Sequence, residues 1–224
     1  MPIDAFVFDA YGTLFDVHSV MQRCESWWPG KGAALSQAWR AKQLEYTWQR
    51  SLMQRYQPFS AVTRDALAWA CESLGLALDE KKAQSLMDEY LRLSAFPDVP
   101  AALAKLRRNQ ANLSRKQAIL SNGSADMLLP LVSHSKLSFD AVISVDELKI
   151  FKPAPQVYAL AVNKLGVPKE RIGFVSSNCW DALGAKSFGF TAYWINRAGA
   201  PVDRLGFTPD AILKSLGNLP EILL

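Results

Sequence analysis

FVFDAYGTLFD, residues 6–16, decides how the chain is read. Its apolar start reads as a buried strand, which ends on Asp9 and then breaks through Gly12 into Thr13 and Leu14. A carboxylate at the tip of a buried strand costs free energy unless something there uses it. Taken alone, Asp9 has a plain reading as a helix cap or a satisfied loop aspartate. The remainder of the chain has to choose.

From about residue 99 onward, strand and helix patterns alternate. DVPAALAKLRRN (98–109) is helical, QAILSNG (117–123) is a short apolar strand with a polar end, and SADMLLPLVSHS (124–135) is helical again. DAVISV (140–145), PAPQVYALAVNKLG (153–166), RIGFVSS (171–177), WDALGAKSFG (180–189) and TAYWIN (191–196) continue the alternation, with DAIL (210–213) before a closing helix. Short apolar runs between helices predict a parallel sheet covered on both faces. Residues 3–9 supply one more strand of that kind.

Residues 17–95 differ: they hold no convincing strand and read as amphipathic helices rich in Trp, Gln and Arg, with loops at WWPGKG and YQPFS. The expected fold is α/β, a Rossmann-like parallel core (1–16 and 96–224) with an inserted helical cap (17–95). Such a cap would lie over the carboxyl edge of the sheet, where ligands of open α/β sheets bind.

Composition narrows the function classes. The 224 residues are 50% hydrophobic and 21% charged, as in an ordinary globular protein. The net charge is +4, but both signs are interleaved, as in RAKQLEYTWQR, and no basic stripe stands out. Nucleic-acid binding is therefore not expected, while a small anionic substrate suits the balance. Three scattered cysteines (Cys24, Cys71, Cys179) and two histidines (His18, His134) assemble neither a zinc site nor a disulfide framework. MPIDAF has no apolar signal region, and no run approaches a membrane span. The expectation is a cytoplasmic protein with reduced thiols.

The predicted strand ends carry the chemistry. They bring Asp9, Ser121 and Asn122, Lys152 ahead of Pro153, and Ser176, Asn178 and Asp181 to one edge. Each has a dull explanation: Ser and Asn cap helices, Asp suits a first turn, and Lys152 suits solvent. Jointly, the dull explanation must hold at every one of these positions at one edge.

On these residues the chain resembles the haloacid dehalogenase superfamily. DAYGTL (9–14) matches its first motif of a strand followed by Asp, two residues, Gly, Thr and Leu. Ser121, Lys152 and the turn at Asp181 match the later motifs in order. The phosphatases of that superfamily carry a second Asp two residues after the nucleophile, where this chain has Tyr11. Their acidic turn usually reads G-D-S-x-x-D, where this chain has Ser176-Ser177-Asn178-Cys179-Trp180-Asp181. Mg²⁺ wants clustered oxygen anions, and this site lacks them at two positions. FVSSNCWDALGA (174–185) and WRAKQLEYTW (39–48) instead resemble the L-2-haloacid dehalogenase branch. One departure is that LRRNQANLSRKQAIL (106–120) runs longer ahead of the second strand.

The resemblance implies hydrolytic removal of halide from a short (S)-2-haloalkanoic acid, giving an (R)-2-hydroxy acid, with no cofactor and no metal. Asp9 would be the nucleophile and Asp181 would activate water, with Thr13, Lys152, Ser176 and Asn178 holding the network. Arg40 comes from the family pattern as halide acceptor. By sequence alone it is one arginine among many. Leu44, on the same helical face, would join Tyr11, Phe59 and Trp180 in an apolar wall, although a core role suits those aromatics as well. Ser121 and Asn122 suit the substrate carboxylate or the halide, and Tyr158 the Lys152–Asp181 network. Cys179 has no histidine placed to serve it and reads as a bystander. A homodimer without membrane partners is the expected assembly. A Mg²⁺-dependent phosphatase or phosphonatase and a non-catalytic binding protein of the same fold stay as alternatives.

Overall fold

β1 (Ala5–Phe8), β2 (Lys116–Ser121), β3 (Ala141–Ser144), β4 (Ile172–Ser176), β5 (Thr191–Ile195) and β6 (Ala211–Leu213) pair into one parallel sheet. The computed structural model describes residues 2–108 and 114–223. Strand order is β3-β2-β1-β4-β5-β6, so β1 is central and β2 and β4 flank it. All four residues of β1 are buried, which is why AFVF reads as an unbroken apolar run. Its register sets Phe8 beside both Ile119 and Val175. The next residue, Asp9, leaves the sheet with its N–H still bonded to the Val175 carbonyl at 2.9 Å.

Four helices, α1 (His18–Trp27), α2 (Gly32–Leu52), α3 (Phe59–Ser73) and α4 (Glu80–Glu89), follow β1. The chain enters and leaves this block side by side: Asp16 N–H donates to Ser94 O at 2.8 Å and Phe96 N–H to Leu14 O at 3.0 Å. α5 (Val99–Leu106), α6 (Ala125–Ser135), α7 (Pro155–Leu165) and α8 (Cys179–Phe188) belong to the alternating part. Polar bonds tie the block to the loops at the sheet's carboxyl edge. Ser60 N–H donates to Ser124 Oγ at 3.2 Å, Phe151 N–H to Ser51 Oγ at 3.1 Å, and the Tyr56 hydroxyl to Asp146.

Three expectations change in detail. The helix expected to open at Pro153 begins at Pro155, which occupies the first turn where a missing N–H costs nothing. The closing helix is instead two short 3-10 turns, Leu216–Asn218 and Pro220–Leu223. Gly217 and Pro220 deprive that segment of a continuous α-ladder. The helix expected over 98–109 spans Val99–Leu106, and Asn109, with the core of the long segment before β2, lies outside the described residues.

Candidate active site

Asp9 is 6% exposed and carries bonds from three sides. The Lys152 ammonium donates to its Oδ1 at 2.9 Å, while Thr13 Oγ1 and Asn178 Nδ2 donate to Oδ2, each at 3.0 Å. Thr13 reaches back because Gly12, at φ +82°, turns the chain tightly after the strand. A side chain there would be strained in that backbone conformation and would press on Ser177 Oγ at 3.3 Å. Thr13 Oγ1 also accepts from Ser177 N–H at 2.8 Å, so the two strand-end turns lock each other.

Lys152 is 1% exposed. Its three ammonium protons are committed: to Asp9, to Asp181 Oδ2 at 2.6 Å and to the Leu120 carbonyl at 3.1 Å. Burial works against this charge, but Asp181 and Asp9 outweigh it and raise the lysine pKa. The approach loop is held by Asn122, whose Oδ1 accepts from Lys152 N–H at 2.8 Å. What Asn122 offers a ligand is therefore its amide N–H groups.

Asp181 sits in the first turn of α8 and is wholly buried. Its Oδ1 accepts from the Tyr158 hydroxyl at 2.9 Å. Gly184 makes room for that phenol, since a Cβ there would come within 2.5 Å of its oxygen. Burial raises the Asp181 pKa to about 6; Lys152 draws it down, and the Asp9 charge pushes it further up. Two carboxylates facing one ammonium titrate together, so this value belongs to the cluster. Burial, then Asp181, raises the Tyr158 phenol, which stays a proton donor at neutral pH.

Ser176 is buried and its Oγ accepts from Asn178 N–H at 3.1 Å, fixing the turn that carries Asn178. Ser121 Oγ likewise accepts from Gly123 N–H at 3.0 Å at the approach to α6. From α2, Arg40 reaches Asn178 Oδ1 at 3.5 Å. Leu44 is half-buried one turn further along the same helix. Phe59 stacks on Tyr11 with centroids 6.0 Å apart, and Trp180 meets Trp48 edge-on at 5.6 Å. Among the described residues, the Tyr11 hydroxyl and Trp180 Nε1 are buried donors without a hydrogen-bond partner. Burial raises the Tyr11 pKa far above the ordinary phenol value.

Trp194, Gln43 and Trp48 escape a reading by motif, and Ser177 shows in one only as a missing acid. Ser177 ties Thr13 in place, and the Trp194 indole N–H donates to Ser177 O at 3.0 Å. Gln43 braces Arg40 at 2.6 Å, and Trp48 backs Trp180. The available signal was Gln43, a polar residue on a helix face otherwise turned inward by Leu35 and Trp39.

The donor set does not suit a divalent cation. The Lys152 ammonium occupies the place between the two carboxylates, and Tyr11 and Ser177 stand where further acids would be needed. Among the described residues no three His, Cys, Asp or Glu side chains gather as metal ligands. The arrangement offers a shielded carboxylate nucleophile, a second carboxylate to handle water, and cations against anionic groups.

Known proteins resemble this chain in sequence and fold. A family model described as haloacid dehalogenase-like hydrolase matches residues 3–189. The (S)-2-haloacid dehalogenase H-109 of Pseudomonas putida is 49% identical, over 100% of this chain and 99% of that protein. A crystal structure of an L-2-haloacid dehalogenase superposes with a TM-score of 0.95 at 47% identity, covering 100% of this chain and 99% of the other. The L-2-haloacid dehalogenase of Xanthobacter autotrophicus, solved with chloropropionic acid covalently bound, gives 0.89 at 43% identity, covering 99% and 98%. The chain belongs to the haloacid dehalogenase-like hydrolase family, and within it to the L-2-haloacid dehalogenases.

Proposed function

We propose that the chain hydrolyses short (S)-2-haloalkanoic acids to (R)-2-hydroxyalkanoic acids and halide, through an ester on Asp9 and without a metal. The observation that carries this reading is Lys152, buried and bonded at once to Asp9 and Asp181. That arrangement holds a nucleophile and a base on one cation.

In the first step an Asp9 oxygen attacks C2 of the substrate in line with the carbon–halogen bond. The halogen departs with the bonding pair, so no acid is needed for the leaving group, and configuration inverts. Asn178, bonded to Asp9, and Arg40, which reaches Asn178, meet the halide. Ser121 and the Asn122 amide, beside the start of α6, take the substrate carboxylate. Leu44, Phe59, Trp180 and Tyr11 form the wall that selects one enantiomer. In the second step water attacks the Asp9 carbonyl carbon, and Asp181 takes the water proton and returns it to the departing alkoxide. Residues 1–16 and 96–224 act as the core and 17–95 as a cap that closes over them.

The same proposal includes a cytoplasmic homodimer. Free cysteines at all three positions suit a reducing compartment, and Leu52 and Met53, 85% and 61% exposed, offer a contact surface at the end of α2. No helix among the described residues is long and apolar enough to cross a membrane.

A single turnover in H₂¹⁸O with excess enzyme tests the ester. The first-turnover hydroxy acid is expected to be unlabelled, with ¹⁸O appearing on the Asp9 peptide after many turnovers. Label in the first product would overturn the nucleophile role of Asp9.

A further inference from the structure

Gln43 is 0% exposed in the middle of α2, and Thr63 is 0% exposed on α3. An amide buried between two helices is costly unless fully bonded, and an apolar residue of equal volume would pack there as well. Its bonds run in one order. The Phe59 carbonyl can only accept, so the Thr63 hydroxyl spends its proton there at 2.6 Å. Thr63 Oγ1 must then accept, and it does so from Gln43 Nε2 at 2.7 Å. That turns Gln43 Oε1 toward Arg40, whose Nη1 donates to it at 2.6 Å. Arginine only donates, so both ends of the chain demand the same orientation of the amide. The second arm of Arg40 points at Asn178 Oδ1, whose amide nitrogen bonds Asp9.

The brace is neutral. Among the described residues Arg40 forms no ion pair, so its position is fixed while its charge stays uncompensated. A carboxylate at position 43 would hold the guanidinium too, but would quench the charge that meets a departing anion.

We propose that Gln43, oriented by Thr63, is a positioning residue that aims Arg40 at the leaving halide. This rests on the hydrolase reading above. Gln43→Met keeps the volume and removes the acceptor. Ester formation is measured in single turnovers with (S)-2-chloro-, 2-bromo- and 2-iodopropionate, and ester hydrolysis separately. Ester formation should slow by about 10- to 100-fold for chloride and only a few-fold for iodide, because a misaimed cation matters most where the leaving group needs most help. Ester hydrolysis should be unchanged. Equal slowing for all three halides, wild-type rates, or slowing of the second step would overturn the proposal.

Thr63→Val frees the amide to turn and should reproduce the halide order with smaller factors. Should Gln43→Met fail to fold, this variant decides alone: a uniform effect or none overturns the proposal. A wild-type enzyme that releases no halide from any of the three sinks the hydrolase reading, and this inference with it.

Discussion

The strand-end cluster and the wall beside it are built by different rules. At the sheet edge, every side-chain polar atom of Asp9, Lys152 and Asp181 has a partner, and backbone turns set the positions. On the wall, Arg40 is half-buried and held by side chains alone, Leu44 is half-buried, and Tyr11 and Trp180 leave donors unpaired. The first region is finished before substrate arrives; the second keeps open bonding capacity. Preorganised charge belongs where bonds break, and spare donors belong where a ligand supplies the missing partner.

A preorganised cluster should tolerate no change at its charged members. Asp9→Asn keeps the shape and hydrogen-bonding size but removes the nucleophile. Halide release should fall by at least about 10⁴-fold, with the circular-dichroism spectrum unchanged. Residual turnover near wild type would move the nucleophile elsewhere. Lys152→Ala should follow, with a barrier higher by roughly 3 kcal/mol or more, read as kcat/KM. It should also lower stability by about 3–5 kcal/mol, since Asp9 and Asp181 would be left as buried charges without their cation. Measured stability near wild type would show that the two carboxylates do not depend on this lysine.

A smaller effect concerns pH. Burial, with Asp9 beside it, holds the Asp181 pKa above its ordinary value of 3.8, at about 6. The base must be deprotonated to take a proton from water. The ester-hydrolysis rate should therefore rise with pH through about 6 and then level, giving an acid limb in kcat. The sign for stability is opposite: a raised folded-state pKa stabilises the fold at low pH and that contribution fades as pH rises through about 6. Asp181→Asn should abolish the acid limb and let the ester accumulate as added mass on the Asp9 peptide. An unchanged limb in that variant would assign the titration to another group.

The same contrast explains what was legible in the sequence. Asp9, Lys152 and Asp181 stand out because parallel-sheet topology gathers strand ends whatever the side chains do, and short apolar runs announce the strands. The α2 part of the wall rests on helical periodicity, which yields a face but no partner. Arg40 was recognisable only by resemblance, and Gln43 only as a polar residue on an inward helix face, because its meaning lies in Thr63, 20 residues away on another helix. Ser177 was legible as a missing acid, yet its bonds to Thr13 depend on how two loops meet. The C-terminal segment misled for a local reason: its apolar spacing suits a helix, while Gly217 and Pro220 do not.

The mildest test reaches the wall through one oxygen atom. The Tyr11 hydroxyl is buried and unpartnered, and its ring is already fixed by stacking on Phe59 and an edge contact with Tyr90 at 5.7 Å. Removing an unsatisfied buried donor relieves a desolvation penalty of about 1–3 kcal/mol. Tyr11→Phe should therefore raise the melting temperature by a few degrees, against the usual trend for mutations in a packed site. In the proposed reaction this hydroxyl faces the anionic substrate, so the same variant should lose a few-fold in kcat/KM. A gain in stability coupled to a loss in activity is what a donor reserved for a ligand predicts. Tyr11→Phe destabilised in the free enzyme would mean that the hydroxyl has a partner there, a bound water for example, and the wall would then be as finished as the cluster beside it.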